Sequence, residues 1–123
     1  MRFALKAAAI ALLAGCNSTS AACTLIGCTD GLSVQFSRSP AGAYRVEAWS
    51  ELRIAPQVLE CGAGQTCPPI FFPDFQGENV NVRVTTDAGV HVQEFTGVEY
   101  RDLYPNGRHC GAVCRQAIVT VQL

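Results

Sequence analysis

Cysteine carries most of the chemistry this sequence can offer, and the spacing of its seven thiols sorts them into groups. Cys16 stands alone near the N-terminus. Cys23 and Cys28 form a close pair, Cys61 and Cys67 flank the loop Gly62-Ala63-Gly64-Gln65-Thr66, and Cys110 and Cys114 form a third pair. So many thiols in a short chain point to an oxidising compartment, where they become disulfides. His109-Cys110 with Cys114 and Cys28 would offer nitrogen and sulfur ligands suited to zinc. Oxidation would consume those thiols first, so no metal and no other cofactor is expected. The C-x-x-C spacing of thiol-exchange enzymes is absent.

Acid–base chemistry has little to stand on. His91 lies between Val90 and Val92, whose alternation turns it away from their face as a surface side chain. Glu94, Glu99 and Asp102 could be paired on paper for glycosidic cleavage, but charged residues near strand ends are usually solvated. There is no Gly-rich phosphate loop and no nucleophile elbow, so a catalytic role is not expected. The formal net charge is −1, and Arg2 and Lys6 sit near the N-terminus, which leaves the remainder mildly acidic. Nucleic acid is not expected as a partner, because its footprint is a basic stripe.

Cys16 has a context of its own. Arg2 and Lys6 give a basic start, Ala7 to Leu13 an apolar run too short to span a bilayer, and Leu13-Ala14-Gly15-Cys16 follows directly. That quartet resembles the lipobox of bacterial lipoproteins: an aliphatic residue, two small ones, then the cysteine that becomes the new N-terminus. The resemblance implies cleavage between Gly15 and Cys16, a diacylglycerol thioether on the Cys16 sulfur and an acyl group on its nitrogen. Several chains hold a protein to a bilayer stably where one does not. In the sorting rule of enterobacterial lipoproteins an aspartate after the lipidated cysteine retains the protein at the inner membrane. Asn17 stands there instead, which favours the outer membrane facing the periplasm. A competing cut after Ser20-Ala21-Ala22 would release a soluble chain with the same six remaining cysteines.

The organisation read from these features is a signal peptide over 1–15 that forms the leader helix, a lipidated flexible tether over 16–22, and one domain over 23–123. Within the domain the apolar period is two. Leu32, Val34 and Phe36 alternate with polar residues, as do Tyr44, Val46 and Ala48, then Val80, Val82 and Val84, and finally Ala117, Val119, Val121 and Leu123. Asp87-Ala88-Gly89 reads as a hairpin turn leading to a strand with Val90 and Val92 on its buried face. Weaker strands are expected near Arg53 to Cys61, where Pro56 marks an edge or a bulge, and near Phe95 to Tyr104. The predicted fold is all-β: a small antiparallel sandwich, immunoglobulin-like or transthyretin-like, stabilised by disulfides. The Cys23-to-Cys28 opening, with Tyr104-Pro105-Asn106-Gly107 leading to Cys110 and Cys114, is similar to small bacterial lipoproteins built on such a sandwich.

Two pairings of the remaining cysteines stay open. If the first and last strands run parallel and adjacent, Cys23, Cys28, Cys110 and Cys114 meet at one end and bridge across it. Otherwise Cys23 pairs locally with Cys28, and Cys110 with Cys114; Cys61 and Cys67 close their own loop in either case. For binding, Trp49 lies on the polar face of its strand, and Phe71, Phe72 and Phe75 crowd a proline-stiffened stretch. Exposed together they would make an aromatic patch for an envelope protein or a glycan. Packed inward, Phe71 or Phe72 would be core. The function expected is therefore a lipid-anchored, non-catalytic envelope binding module. The alternative is a periplasmic inhibitor or accessory factor that contacts an envelope enzyme through the Cys61–Cys67 loop. A closed, protruding loop favours the second and a flat aromatic face the first.

Overall fold

The computed structural model describes Cys23 and residues 26–123; the leader, the Gly15–Cys16 cleavage site and the 16–22 tether lie outside the described residues. The strands are β1 (Gly31–Phe36), β2 (Tyr44–Ser50), β3 (Arg53–Cys61), β4 (Ile70–Pro73), β5 (Val80–Thr86), β6 (Gly89–Phe95), β7 (Arg101–Leu103) and β8 (Cys114–Val121). A 3-10 turn over Arg108–Cys110 precedes β8. The strands form two four-stranded sheets, in the orders β4-β1-β8-β7 and β3-β2-β5-β6. Every pairing is antiparallel except β1 with β8, which runs parallel with Leu32 opposite Ala117 and Val34 opposite Val119.

The period-two pattern builds this sandwich because alternate side chains leave opposite faces of a strand. Leu32 and Val34 of β1, Val46 and Ala48 of β2, Val80, Val82 and Val84 of β5, and Ala117, Val119 and Val121 of β8 all point into one core. Phe72 and Phe75, at 2% and 1% exposure, fill the space between the sheets beside them. Three-residue apolar runs such as Ile70-Phe71-Phe72 are too short to show a period, and flanking prolines disguise the strand further. Pairing with β1 nonetheless makes β4 an edge strand, with Pro73 at its last position, where a missing donor is tolerated. Pro56 likewise lies in an edge strand, β3, beside a break in register between Ala48 and Ser50.

The phase of β6 is the reverse of the sequence reading. Thr86 pairs with Gly89 across a two-residue turn, so Val84 faces His91, Val82 faces Gln93 and Val80 faces Phe95. His91, Gln93 and Phe95 therefore take the inward side, while Val90 and Val92 stand outward at 64% and 51% exposure. β6 is the sheet's edge, where inward side chains are only partly covered, so a histidine and a glutamine can occupy that side without a buried partner.

The join between the sheets near Ser50 is held by polar contacts. Ser50, buried, donates its hydroxyl to the Gln76 carbonyl and accepts from the N–H groups of Leu52 and Arg53. Gly77 packs directly against it at φ 121°, and any Cβ there would collide with the Ser50 side chain. The Glu51 carboxylate accepts from the N–H groups of Glu78 and Asn79 at 2.7 and 3.0 Å. Backbone donors, first its own N–H and then that of Glu78, hold its carboxyl below the usual range.

The Tyr100 hydroxyl donates to the Gly77 carbonyl at 3.0 Å. Burial, and then the Glu51 charge, push this phenol from the usual 10 up to about 12. A raised phenol favours the folded state fully below pH 10, and that contribution is lost as pH rises through about 12. Urea-denaturation midpoints of the parent chain should therefore fall across this window, and Tyr100→Phe should remove that part of the fall. An identical slope in both chains would assign the alkaline sensitivity elsewhere.

Candidate functional site

The direction of β1 and β8 gives the molecule two poles. Both strands start beside the cysteine pairs and end together, where Ser37 donates to the Val121 carbonyl at 2.9 Å. Six residues of strand separate the poles by about 20 Å. At the first pole Cys23 is bonded to Cys110 and Cys28 to Cys114. The parallel pairing of the first and last strands brings these four sulfurs together, and local pairing does not occur. Around them, Asn106 clasps the backbone of Ile26 through both amide atoms, accepting from its N–H at 2.9 Å and donating to its carbonyl at 3.1 Å. Asp30 accepts from the Arg115 N–H at 2.7 Å. The third bridge, Cys61–Cys67, closes a loop at the end of β3.

At the second pole three loops gather. Tyr44 at the start of β2 is paired with Cys61 on one side and Thr86 on the other. That row brings the β1–β2 loop, the Cys61–Cys67 loop and the β5–β6 turn to one end. Phe36 and Tyr44 meet edge to face beneath them, with ring centres 5.5 Å apart. A groove of about 870 Å³ opens between the sheets here, lined by Arg38 and Pro40, by Asp87 of the turn, by His91 of β6 and by Leu123 beyond β8. Beside it the disulfide-closed loop folds on itself, with the Gln65 N–H donating to the Gly62 carbonyl at 3.2 Å and the Gln65 side chain accepting from the Gly62 N–H at 3.0 Å. Ala63 to Thr66 are exposed at its tip.

The aromatic patch read from the sequence does not exist as a surface. Phe72 and Phe75 are core residues, because alternation along β4 turns Phe72 inward and the chain reverses at Asp74, whose φ is 57°. Phe71 takes the outward face and lays its ring over Gly31, where any Cβ would collide with it. Trp49 is half-buried on the outer face of the other sheet, with the Arg83 guanidinium 5.1 Å from its ring centre. Trp49 and Phe71 therefore face opposite sides of the molecule.

The other sequence candidates are dispersed or engaged. Asp102 is paired with Arg115 at 3.1 Å across β7 and β8, while Glu94 lies opposite Asn81 on the outer side of β6. Cys110 and Cys114 sit in two different bridges rather than facing a common metal. Among the described residues one group could place three ligand atoms together: Cys23, His109 and Cys110. His91 is exposed, though on the side opposite to the one expected, and it lines the groove. Arg38 was not singled out by the sequence and Asp87 was read only as part of a turn, since only the topology brings their loops together. Among the described residues no helix is long and apolar enough to cross a membrane. No protein-family model matches the chain, and neither does any curated protein or any solved structure. Three disulfides in a domain this small mark it as extracytoplasmic.

Proposed function

We propose that this chain is a lipid-anchored bacterial envelope protein whose domain acts without catalysis, contacting an envelope protein through its loop-bearing pole. The observation that carries the reading is polarity. The segment entering the domain is stapled at one end of the sandwich by Cys23–Cys110 and Cys28–Cys114, and the loops and groove lie at the other. A tether on Cys16 would leave that far pole facing away from the bilayer. The Leu13-Ala14-Gly15-Cys16 motif supports the anchor, and the bridges support export.

A second reading is favoured by one feature. The Cys61–Cys67 loop is closed, internally hydrogen-bonded and exposed at its tip, and such a loop loses little conformational entropy on binding. It suits insertion into the cleft of an envelope enzyme, so inhibition is the form of contact to test first.

Replacing Cys16 by serine should abolish incorporation of labelled fatty acid and move the protein from the membrane to the soluble envelope fraction. Unchanged membrane retention would remove the anchor. Capture from envelope extract with the Cys16→Ser chain should retain one stoichiometric protein. Thr66→Arg, which adds bulk and charge at the exposed loop tip, should release it. Retention of glycan alone, or of the same protein by both chains, would overturn the contact assigned to the loop.

A further inference from the structure

The first pole holds a group of residues whose sulfur and imidazole chemistry neither anchoring nor partner contact uses. His109 stands beside the Cys23–Cys110 bridge, and its ring nitrogen and both sulfurs all lie within 4.8 Å of one another. The ring is seated against Gly107, where a Cβ would come within 2.7 Å of it. We infer that Cys23–Cys110 is an exchangeable disulfide, and that its reduced form, with His109, is a binding site for a thiophilic d10 cation, Zn(II) or Cu(I).

Redundancy and access support the exchange. Cys28–Cys114 spans nearly the same stretch of chain as Cys23–Cys110, with sequence separations of 86 and 87, so either bridge alone keeps the ends of the domain joined. What distinguishes them is reach. Cys23 is exposed and Cys110 half-buried, whereas each of the other bridges joins a half-buried sulfur, Cys28 or Cys67, to a buried one, Cys114 at 4% or Cys61 at 6% exposure. An external thiolate must approach a disulfide sulfur directly, so the outer bridge, with one exposed sulfur and no buried one, is the first to be attacked. The balanced step is a two-electron exchange with a dithiol. One thiolate of the dithiol attacks a bridge sulfur and forms a mixed disulfide, and its second thiol then displaces the other half. The dithiol leaves as a disulfide, and Cys23 and Cys110 hold the electron pair and two protons as free thiols.

The ligands stay together after that step. Cys28–Cys114 and the Asn106–Ile26 clasp still hold the segment bearing Cys23 against the turn bearing His109 and Cys110. Two thiolates and an imidazole at ligand spacings of about 3.5 to 4 Å fit metal–sulfur bonds near 2.3 Å and metal–nitrogen bonds near 2.0 Å. Soft sulfur donors with imidazole select Cu(I) or Zn(II), the first satisfied by three ligands and the second completed by a water. Binding releases the two thiol protons. The bridged form has no thiolate to offer, so occupancy would follow the redox state of the pole.

The test uses the full chain carrying Cys16→Ser, which removes the remaining thiol. Limiting dithiothreitol followed by alkylation and mass mapping should label Cys23 and Cys110 first. After gel filtration under argon, the reduced protein should take up one equivalent of Zn(II) or of Cu(I) in competition with a chromophoric chelator, and the bridged protein none. His109→Ala should weaken that binding about tenfold or more. The Cys23→Ser/Cys110→Ser chain should fold cooperatively and bind neither ion. First labelling at Cys28–Cys114 or Cys61–Cys67, equal uptake by bridged and reduced protein, equal affinity in the His109 variant, or a Cys23→Ser/Cys110→Ser chain that does not fold would each overturn the inference.

Discussion

Serine at Cys23, Cys28, Cys110 and Cys114 together is expected to cost about 7 kcal/mol, more than the roughly 2 to 3 kcal/mol expected for losing either bridge alone taken twice. The excess follows from chain entropy. While one bridge stands, the other closes only a small ring through 23–28 and 110–114, about ten residues in all. Once both are gone, a loop of 86 residues is released as well, worth about 4 to 5 kcal/mol by itself. Small domains commonly have a margin of about 5 to 15 kcal/mol, so the quadruple variant should lose about half of it or more and unfold at a much lower urea concentration than either double variant. Urea titrations of the two double variants and the quadruple variant complete the cycle. Additive losses would show that the bridges act through separate local contacts rather than through one shared constraint.

Phe72→Ala should cost about 3 to 5 kcal/mol, and Phe71→Ala, one residue away, about 1 kcal/mol. Phe72 is 2% exposed between the sheets, with its ring 6.3 Å from that of Phe75, so truncation opens a cavity walled by Leu32 and its neighbours. Phe71 points outward and loses only its cover over Gly31. Differential scanning calorimetry of the two variants separates them. Comparable losses would mean that the β4 strand does not alternate as its pairing with β1 requires.

These two phenylalanines also show where the sequence stopped being readable. Val80, Val82 and Val84 announce their strand because a central strand buries one whole face, leaving a clean alternation in the text. Ile70 to Pro73 offers three apolar residues between prolines, and its inward and outward members differ only after β1 has been placed beside it. The Val90–Val92 phase failed for a different reason. Hydrophobicity suggested that both valines face the core, but the two-residue turn at Asp87-Ala88 fixes the register by backbone geometry and sends His91 and Phe95 inward. Turn length was the better guide, because an edge strand can leave its apolar residues outside at little cost.

The pairing of the terminal cysteines was legible only on the condition that β1 and β8 lie parallel and adjacent, a long-range fact that no local pattern encodes. The groove at the loop-bearing pole was not legible at all. Arg38, Asp87 and His91 come from separate segments, and chain topology alone makes them neighbours. The Cys61–Cys67 loop, by contrast, was evident from six residues of spacing and a run of small side chains.

The paired bridges at the chain's entry also decide how the domain bears tension. Among the described residues, a pull arriving at Cys23 meets a covalent crosslink at once and passes into the segment leading to β8. β1 cannot be peeled from its neighbours one rung at a time; its ladder with β8 would have to yield in shear, all rungs together. A body leashed to a moving surface and gripped at its far end would thus resist unravelling, and opening the outer crosslink would shift the load inward to Cys28 without exposing the sheet.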